Sequence, residues 1–86
     1  MPSSFDPAKE AANLQKHGIS LAEGDGVLND PLALTIEDRS SQGEQRFISI
    51  GMNLFWKLRV VVYTLRDEDA RIISVRKAER EGNPDI

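Results

Sequence analysis

The chain has 86 residues, 40% of them hydrophobic and 29% charged, a balance typical of one small globular domain rather than a disordered chain. It contains no cysteine, which excludes disulfides, thiolate catalysis and thiolate metal sites and agrees with a reducing compartment. Because no apolar run approaches the ~20 residues of a membrane helix and the first residues lack the pattern of a signal peptide, we predict a cytoplasmic protein.

Positive charge is concentrated in the second part of the chain, although the formal net charge is −3. Residues 1–38 hold two lysines against seven acids, a net −5, whereas residues 39–86 hold nine Lys or Arg against seven acids, a net +2. A basic patch in this second part could contact phosphates. Simple solvation of a small surface explains the same charges equally well.

The first predicted element is a helix over residues 8–17. Asp6 can cap its first free amides, and Pro7 is favoured at the first helical position. Gly18 stands where a left-handed C-cap residue is expected, so the helix ends there.

A second helix is predicted to begin at residue 21, because Ser20 and Glu23 have the spacing of a capping box. It ends before Pro31, since the residue that precedes a proline avoids helical angles. Each of its two glycines weakens the helix by about 1 kcal/mol relative to Ala, which predicts a short or distorted element.

Three or four strands follow and are expected to build an antiparallel sheet. The third, rich in aliphatic residues, is the expected central strand, and it forms a hairpin with the fourth. The turn between the second and third exposes Phe55 and Trp56 near its tip. The four predicted strands are residues 32–37, 46–52, 58–65 and 70–75.

From Arg76 the composition changes to good helix formers, so a short helix over residues 76–81 is predicted before a tail of breaker residues. The order of elements predicts one α+β domain over residues 1–86. Two N-terminal helices pack on a three- to four-stranded antiparallel sheet, and a short C-terminal helix closes the chain.

His17 is the only histidine, and it stands beside Lys16 at the end of the first helix. An imidazole is suited to general acid–base catalysis. The negative end of the helix dipole also favours cations here, and the local pattern alone favours this structural role. We find no carboxylate cluster with metal-binding spacing, so no metal site and no cofactor are predicted.

Arginines are the second set of candidates. Arg46, Arg71, Arg76 and Lys77 could hold an RNA backbone and stabilise the transition state of phosphoryl transfer without a metal, or could pair with nearby carboxylates on a solvated surface. In a regular strand Arg71 and Arg76 point to opposite faces, so either a bulge intervenes or Arg76 lies beyond the strand end. Ser74 and Arg76 are compatible with one site.

Several motifs follow one another along the chain, from Phe5-Asp6-Pro7 and Lys16-His17-Gly18 to Ser74-Val75-Arg76-Lys77. Over about residues 5–81 they resemble the BrnT toxin family. The resemblance implies a RelE-like fold and a ribonuclease toxin of a type II toxin–antitoxin pair that cleaves RNA without a metal. It also implies a BrnA-type antitoxin, whose ribbon-helix-helix domain binds operator DNA, so that the toxin reaches DNA only indirectly. The motifs are Phe5-Asp6-Pro7-Ala8-Lys9, Asn13, Lys16-His17-Gly18, Asp30-Pro31, Glu44-Gln45-Arg46, Ile50-Gly51 and Arg71-Ile72-Ile73-Ser74-Val75-Arg76-Lys77-Ala78.

By the same resemblance, the active-site residues are Lys16, His17, Arg46, Ser74 and Arg76. A proton shuttle at His17 or Lys16, with arginines holding the scissile phosphate, suits attack by the RNA 2′-hydroxyl.

The chain departs from the family pattern in two ways. It stops soon after the Arg-Lys-Ala segment instead of continuing as a longer basic helix, and two glycines replace the helix formers expected in the second helix. The alternative is therefore a weakened or inactive member that acts mainly by binding its antitoxin. A purely nucleic-acid-binding protein is a third possibility.

Overall fold

The computed structural model describes residues 3–39 and 43–78, and these ranges contain two helices and five strands. The strands form one sheet in the order β1-β5-β4-β3-β2, so β4 is the central strand, as predicted. The α+β class is confirmed. The elements are β1 (Ser3–Ser4), α1 (Pro7–His17), α2 (Glu23–Leu28), β2 (Leu34–Asp38), β3 (Arg46–Met52), β4 (Leu58–Arg66) and β5 (Asp69–Lys77).

The sheet is mixed, which corrects the prediction of three or four antiparallel strands. Strands β2 to β5 are antiparallel as expected. However, Ser3 and Ser4 form a fifth strand, β1, that pairs in parallel with Ala70 and Arg71 of β5. Two residues carry too little hydrophobic pattern to indicate a strand. This one depends on tertiary contacts, including a 2.9 Å hydrogen bond from Ser3 Oγ to Asp25 Oδ1.

Helix α1 has the predicted ends, and both are capped as the sequence indicates. Asp6 Oδ1 accepts a hydrogen bond from the Ala8 amide at 2.9 Å. Gly18 is left-handed, with φ of 69°, and its amide donates to the Leu14 carbonyl at 2.8 Å. Local chemistry alone therefore fixes this helix.

Helix α2 begins at Glu23, two residues later than predicted, and the predicted capping box is wrong. Ser20 Oγ donates to Glu10 Oε2 at 2.7 Å, across to α1. The Glu23 carboxylate accepts from Asn53 Nδ2 at 2.8 Å and from Arg59 Nε at 3.0 Å, in β4 and the turn before it. Ser20 Oγ also accepts from the Ala22 amide at 3.1 Å in the turn before α2. Neither side chain makes the reciprocal hydrogen bonds of a capping box, and both make contacts to other elements.

Gly24 lies where α2 approaches the sheet most closely. A Cβ atom at this position would lie 2.9 Å from Ile72 Cδ1, 3.2 Å from Val61 Cγ1 and 3.3 Å from Val75 Cγ2, and all three residues are fully buried. The glycine that weakens the helix by propensity is therefore what allows the helix to pack on the sheet.

Strand β5 continues through Arg76 and Lys77, so the predicted C-terminal helix is wrong at these two residues. Arg76 pairs with Val60 and Lys77 pairs with Arg59. The ladder with β4 overrides the helical propensity of this segment. Ala78 is not helical either, and its amide donates to the Leu58 carbonyl at 3.4 Å. Residues 79–81 of that prediction lie outside the described residues.

A bulge in β5 decides which side chains share a face. Val62 pairs with Ser74, but Tyr63 pairs with Ile72, so Ile73 is an extra residue in β5. Of the two explanations that alternation left open, the bulge is the right one. It turns Arg71, Ser74 and Arg76 to the same face of the sheet.

The core lies between α2 and one face of the sheet. We call the opposite face the outer face. It carries the even-numbered residues 34–38 of β2, 46–52 of β3 and 58–64 of β4, together with Arg71, Ser74 and Arg76 of β5. The core consists of Ile19, Leu21, Val27, Val61, Tyr63, Ala70, Ile72 and Val75.

Asp30 links the turn after α2 to β3 and makes stability dependent on pH. Its carboxylate accepts from the amides of Met52 at 2.8 Å and Leu32 at 2.9 Å. These hydrogen bonds, that of Met52 first, lower the pKa of Asp30 below the ordinary 3.8. The stabilisation is therefore complete above the ordinary pKa and disappears as the pH falls through the lower folded-state pKa.

We expect Asp30→Asn to unfold at a lower temperature than the wild type near neutral pH, because an amide cannot accept both hydrogen bonds. The two proteins should converge in acid, once the wild-type carboxyl is protonated. Thermal unfolding between about pH 7 and about pH 2 measures the difference. A difference that does not change with pH would contradict this assignment.

Candidate active site

A shallow cleft of about 330 Å³ lies between α1 and the outer face of β5. Three of its described lining residues, Lys9, Lys16 and Arg76, are basic, and none of them is an acid. It therefore suits an anion. The lining residues are Lys9, Ala12, Asn13, Lys16, His17, Ile73, Ser74 and Arg76.

Asn13 fixes α1 against β5 and so holds the two walls of the cleft together. Its side chain is buried, and Nδ2 donates to the Ile19 carbonyl at 2.8 Å and to the Val75 carbonyl at 2.9 Å. Oδ1 accepts from the Val75 amide at 3.3 Å. Strand β1 pairs only with Ala70 and Arg71, so Asn13 satisfies the edge of β5 where β1 has ended.

The helical wall of the cleft follows from helix periodicity. Lys9, Asn13 and Lys16 have the spacing i, i+4 and i+7, which places them on one side of α1. Because Asn13 faces β5, the two lysines flank the cleft, and His17 follows at the last position of the helix. Lys16 is exposed and His17 is half-buried.

The strand wall of the cleft follows from the bulge at Ile73. Ile73 and Ser74 are both half-buried, and both line the cleft. Arg76 is exposed, and its Nη1 makes a long, 3.5 Å hydrogen bond to the Lys77 carbonyl. No carboxylate among the described residues forms a salt bridge with this guanidinium.

Four of the five residues that the sequence singles out line this one cleft, namely Lys16, His17, Ser74 and Arg76. Arg46 does not. It shares the outer face but lies on β3, two strands away from β5. With strands ~4.8 Å apart and a rise of ~3.3 Å per residue, its Cα is roughly 12 Å from that of Ser74. Arg46 can contact a ligand that extends across the sheet from the cleft.

Lys9 is the cationic residue of the cleft that sequence reasoning did not select. The signal was present, because Lys9 and Lys16 are seven residues apart, or about two helical turns. Without the position of β5, however, that spacing does not indicate which side of α1 faces the site.

The described part of the chain holds neither a metal-binding cluster nor a membrane-spanning helix. No group of three or more His, Asp or Glu side chains there could hold a metal ion. Neither of its helices is long and apolar enough to cross a membrane.

The fold belongs to a class that includes a ribonuclease toxin of known structure. The chain is similar to the 1.1 Å crystal structure of the Brucella abortus ribonuclease toxin BrnT, with a TM-score of 0.68 and 22% sequence identity. The similarity covers 92% of this chain and 99% of that one. No curated protein matches the chain.

The sequence itself identifies the family. The family model of the ribonuclease toxin BrnT, of type II toxin–antitoxin systems, matches residues 5–81. The chain therefore belongs to the BrnT family, and the resemblance drawn from its motifs is confirmed. The family consists of ribonuclease toxins that act in toxin–antitoxin pairs. The RelE-like relationship of the fold stays a prediction.

Proposed function

We propose that this chain, as a single domain over residues 1–86, is the toxin of a type II pair. It acts in the cytoplasm as an endoribonuclease that cleaves RNA without a metal ion and so inhibits translation and growth. The observation that carries the proposal is the meeting of Lys16, His17, Ser74 and Arg76 in one cleft without acids. Family membership supplies the ribonuclease class.

The chemistry follows from the types of side chain in the cleft. Arg76 and the lysines neutralise the non-bridging oxygens of a bound phosphodiester, and the Ser74 hydroxyl donates a hydrogen bond to one of them. His17 or Lys16 removes the proton of the 2′-hydroxyl, whose oxygen attacks the phosphorus. The 5′-oxygen of the next nucleotide leaves and takes up a proton. The products are a 2′,3′-cyclic phosphate and a 5′-hydroxyl.

Arg46 holds the RNA outside the cleft. At roughly 12 Å from Ser74, it reaches a neighbouring phosphate rather than the scissile one. Its replacement should weaken RNA binding more than it slows the bond cleavage itself.

The partner of this toxin is a BrnA-type antitoxin with a ribbon-helix-helix domain. Type II toxins are paired with protein antitoxins, so family membership supports such a partner. The antitoxin makes the contacts to operator DNA, and the toxin reaches DNA only as part of a hetero-oligomer.

The active toxin is a better interpretation than a weakened family member. Gly24, one of the two unexpected glycines, allows α2 to pack closely on Ile72, so it is a packing feature of an intact fold. The described residues also bring four of the five active-site candidates together in one cleft.

The purified chain should cleave single-stranded RNA in the presence of EDTA, and its induction should arrest bacterial growth. The fragments should carry 2′,3′-cyclic phosphate ends, which mass spectrometry identifies. A requirement for added metal would contradict the metal-independent mechanism. A folded chain that binds its antitoxin but neither cuts RNA nor arrests growth would establish the interaction protein instead.

A further inference from the structure

The outer face carries an exposed aliphatic surface that the described helices leave uncovered. Leu34 is 72% exposed and Ile36 62% exposed. The register joins them to the neighbouring strands, because Leu34 pairs with Ile50 and Ile36 pairs with Ile48. The exposed part of the surface lies on β2 and β3, where Ile50 is 38% and Met52 39% exposed, and it ends at Val60 of β4, which is buried. Exposed apolar side chains that adjoin one another on one face of a sheet are typical of interaction sites.

Three arginines border the aliphatic surface. Arg46 lies beside Ile48 on β3, and Arg71 and Arg76 lie along β5. Arg71 and Arg76 form no salt bridge with a carboxylate of the described ranges, whereas Arg46 lies opposite Asp38 of β2. The described strands place two acids on this face, Asp38 opposite Arg46 and Asp69 opposite Arg66, so arginines outnumber acids there. The aliphatic surface therefore has a cationic border.

The arginines at the border determine which kind of molecule can bind the outer face. A second copy of the chain would bring the same arginines towards these, and like charges in a closed interface are unfavourable. RNA contacts this face at its arginines, since bases stack on aromatic rings or guanidinium planes, whereas the exposed centre of the surface consists of Leu, Ile and Met. An amphipathic protein segment with apolar residues on one side and acids at its margin is complementary to both features.

We propose that the outer face is the docking surface for an acidic, amphipathic segment of the antitoxin, an inference that rests on the proposed function. The apolar side of the segment covers Ile36 and Ile50, and its acids meet the arginines. Ser74 and Arg76 belong both to the outer face and to the cleft. A segment bound here therefore covers the cleft and excludes RNA, so docking and neutralisation are one event.

The test compares two acidic substitutions on the surface with matched substitutions elsewhere. Leu34→Glu combined with Ile36→Glu should weaken binding of the antitoxin encoded beside the toxin gene by at least about 10-fold, because two buried aliphatic contacts are lost and two acids face an acidic segment. Isothermal titration calorimetry measures the affinity. Leu32→Glu and Leu54→Glu, at positions 85% and 82% exposed outside the strands, should leave it unchanged.

Growth separates this inference from the proposed function. The double variant alone should still cleave RNA and arrest growth, and coexpressed antitoxin should no longer rescue the cells. If the wild-type chain neither cuts RNA nor arrests growth, the proposed function is wrong. The docking surface is tested separately, because calorimetry measures antitoxin binding to the wild type and to the double variant whether or not the chain cuts RNA.

Other outcomes would overturn the docking surface. They are loss of antitoxin binding in Leu54→Glu but not in the double variant, a wild-type dimer that the double variant converts to monomer, or weaker RNA binding with antitoxin binding intact. NMR needs no substitution. On addition of antitoxin, the methyl signals of Ile36, Ile48 and Ile50 should shift and those of Leu54 should not, and the reverse would contradict the inference.

Discussion

Replacing both His17 and Arg76 with alanine is expected to abolish RNA cleavage and growth arrest while the domain stays folded. A general acid or base contributes about 10²- to 10⁴-fold to a rate. Loss of one donor aimed at developing negative charge costs about 10²- to 10³-fold. Neither side chain belongs to the core, so the free energy of unfolding should change little.

Cleavage of a fluorescent RNA oligonucleotide measures this effect, and circular dichroism with thermal unfolding checks the fold. Arg66→Ala is the matched control, because Arg66 is an exposed arginine outside the cleft that pairs with Glu44 at 3.3 Å. The control should cut at the wild-type rate. A folded double variant that still cuts RNA would show that the cleft is not the active site.

Single variants separate the two candidate proton shuttles. Removing the shuttle changes the shape of the dependence of rate on pH, whereas removing a group that only holds phosphate lowers the rate at every pH. Lys16→Ala and His17→Ala, measured over the same range of pH, therefore assign the role that the arrangement of the cleft leaves open between them.

The parts of this protein that were predictable from sequence depend on local chemistry. Helix α1 is defined by Asp6, Pro7 and Gly18, all within a few residues of its ends. The same local signals place Lys16 and His17 at its C-terminus. Strand β3 was predicted with both of its ends, because its alternation is regular from Arg46 to Met52. Family resemblance then selected four residues that the fold brings to one cleft.

The parts that were not predictable depend on contacts between distant residues. The bulge at Ile73 has no local signal, and without it Arg71 and Arg76 would face opposite sides of the sheet. Arg76 and Lys77 have helical propensity, yet they lie in a strand because β4 offers a complete ladder. From sequence alone Gly24 indicates only a weak helix, because the close approach of α2 to the sheet depends on the tertiary structure.

Asn13 holds α1 against β5 and so brings the two walls of the cleft together. Its replacement should lower the free energy of unfolding more than any other substitution in the cleft. Asn13→Ala leaves the Val75 amide and the carbonyls of Val75 and Ile19 without partners in a buried position. Each unsatisfied buried group costs about 1 to 3 kcal/mol, so we expect a loss of about 3 kcal/mol or more in the free energy of unfolding.

Urea denaturation measures this loss of stability, and two further variants are compared with Asn13→Ala. Gln15→Ala changes an exposed polar residue of the same helix and should stay within about 0.5 kcal/mol of the wild type. Asn13→Asp keeps the shape but places a carboxylate against two carbonyl oxygens, so it should be at least as destabilising as alanine.

The same substitution should also reduce cleavage, because α1 carries Lys16 and His17 and is held to β5 through Asn13. In the absence of urea, and at a temperature where the variant is still folded, the rate of RNA cleavage should fall although no residue proposed to touch RNA has changed. A variant that is destabilised but cuts RNA at the wild-type rate would mean that the position of α1 against β5 does not determine the chemistry.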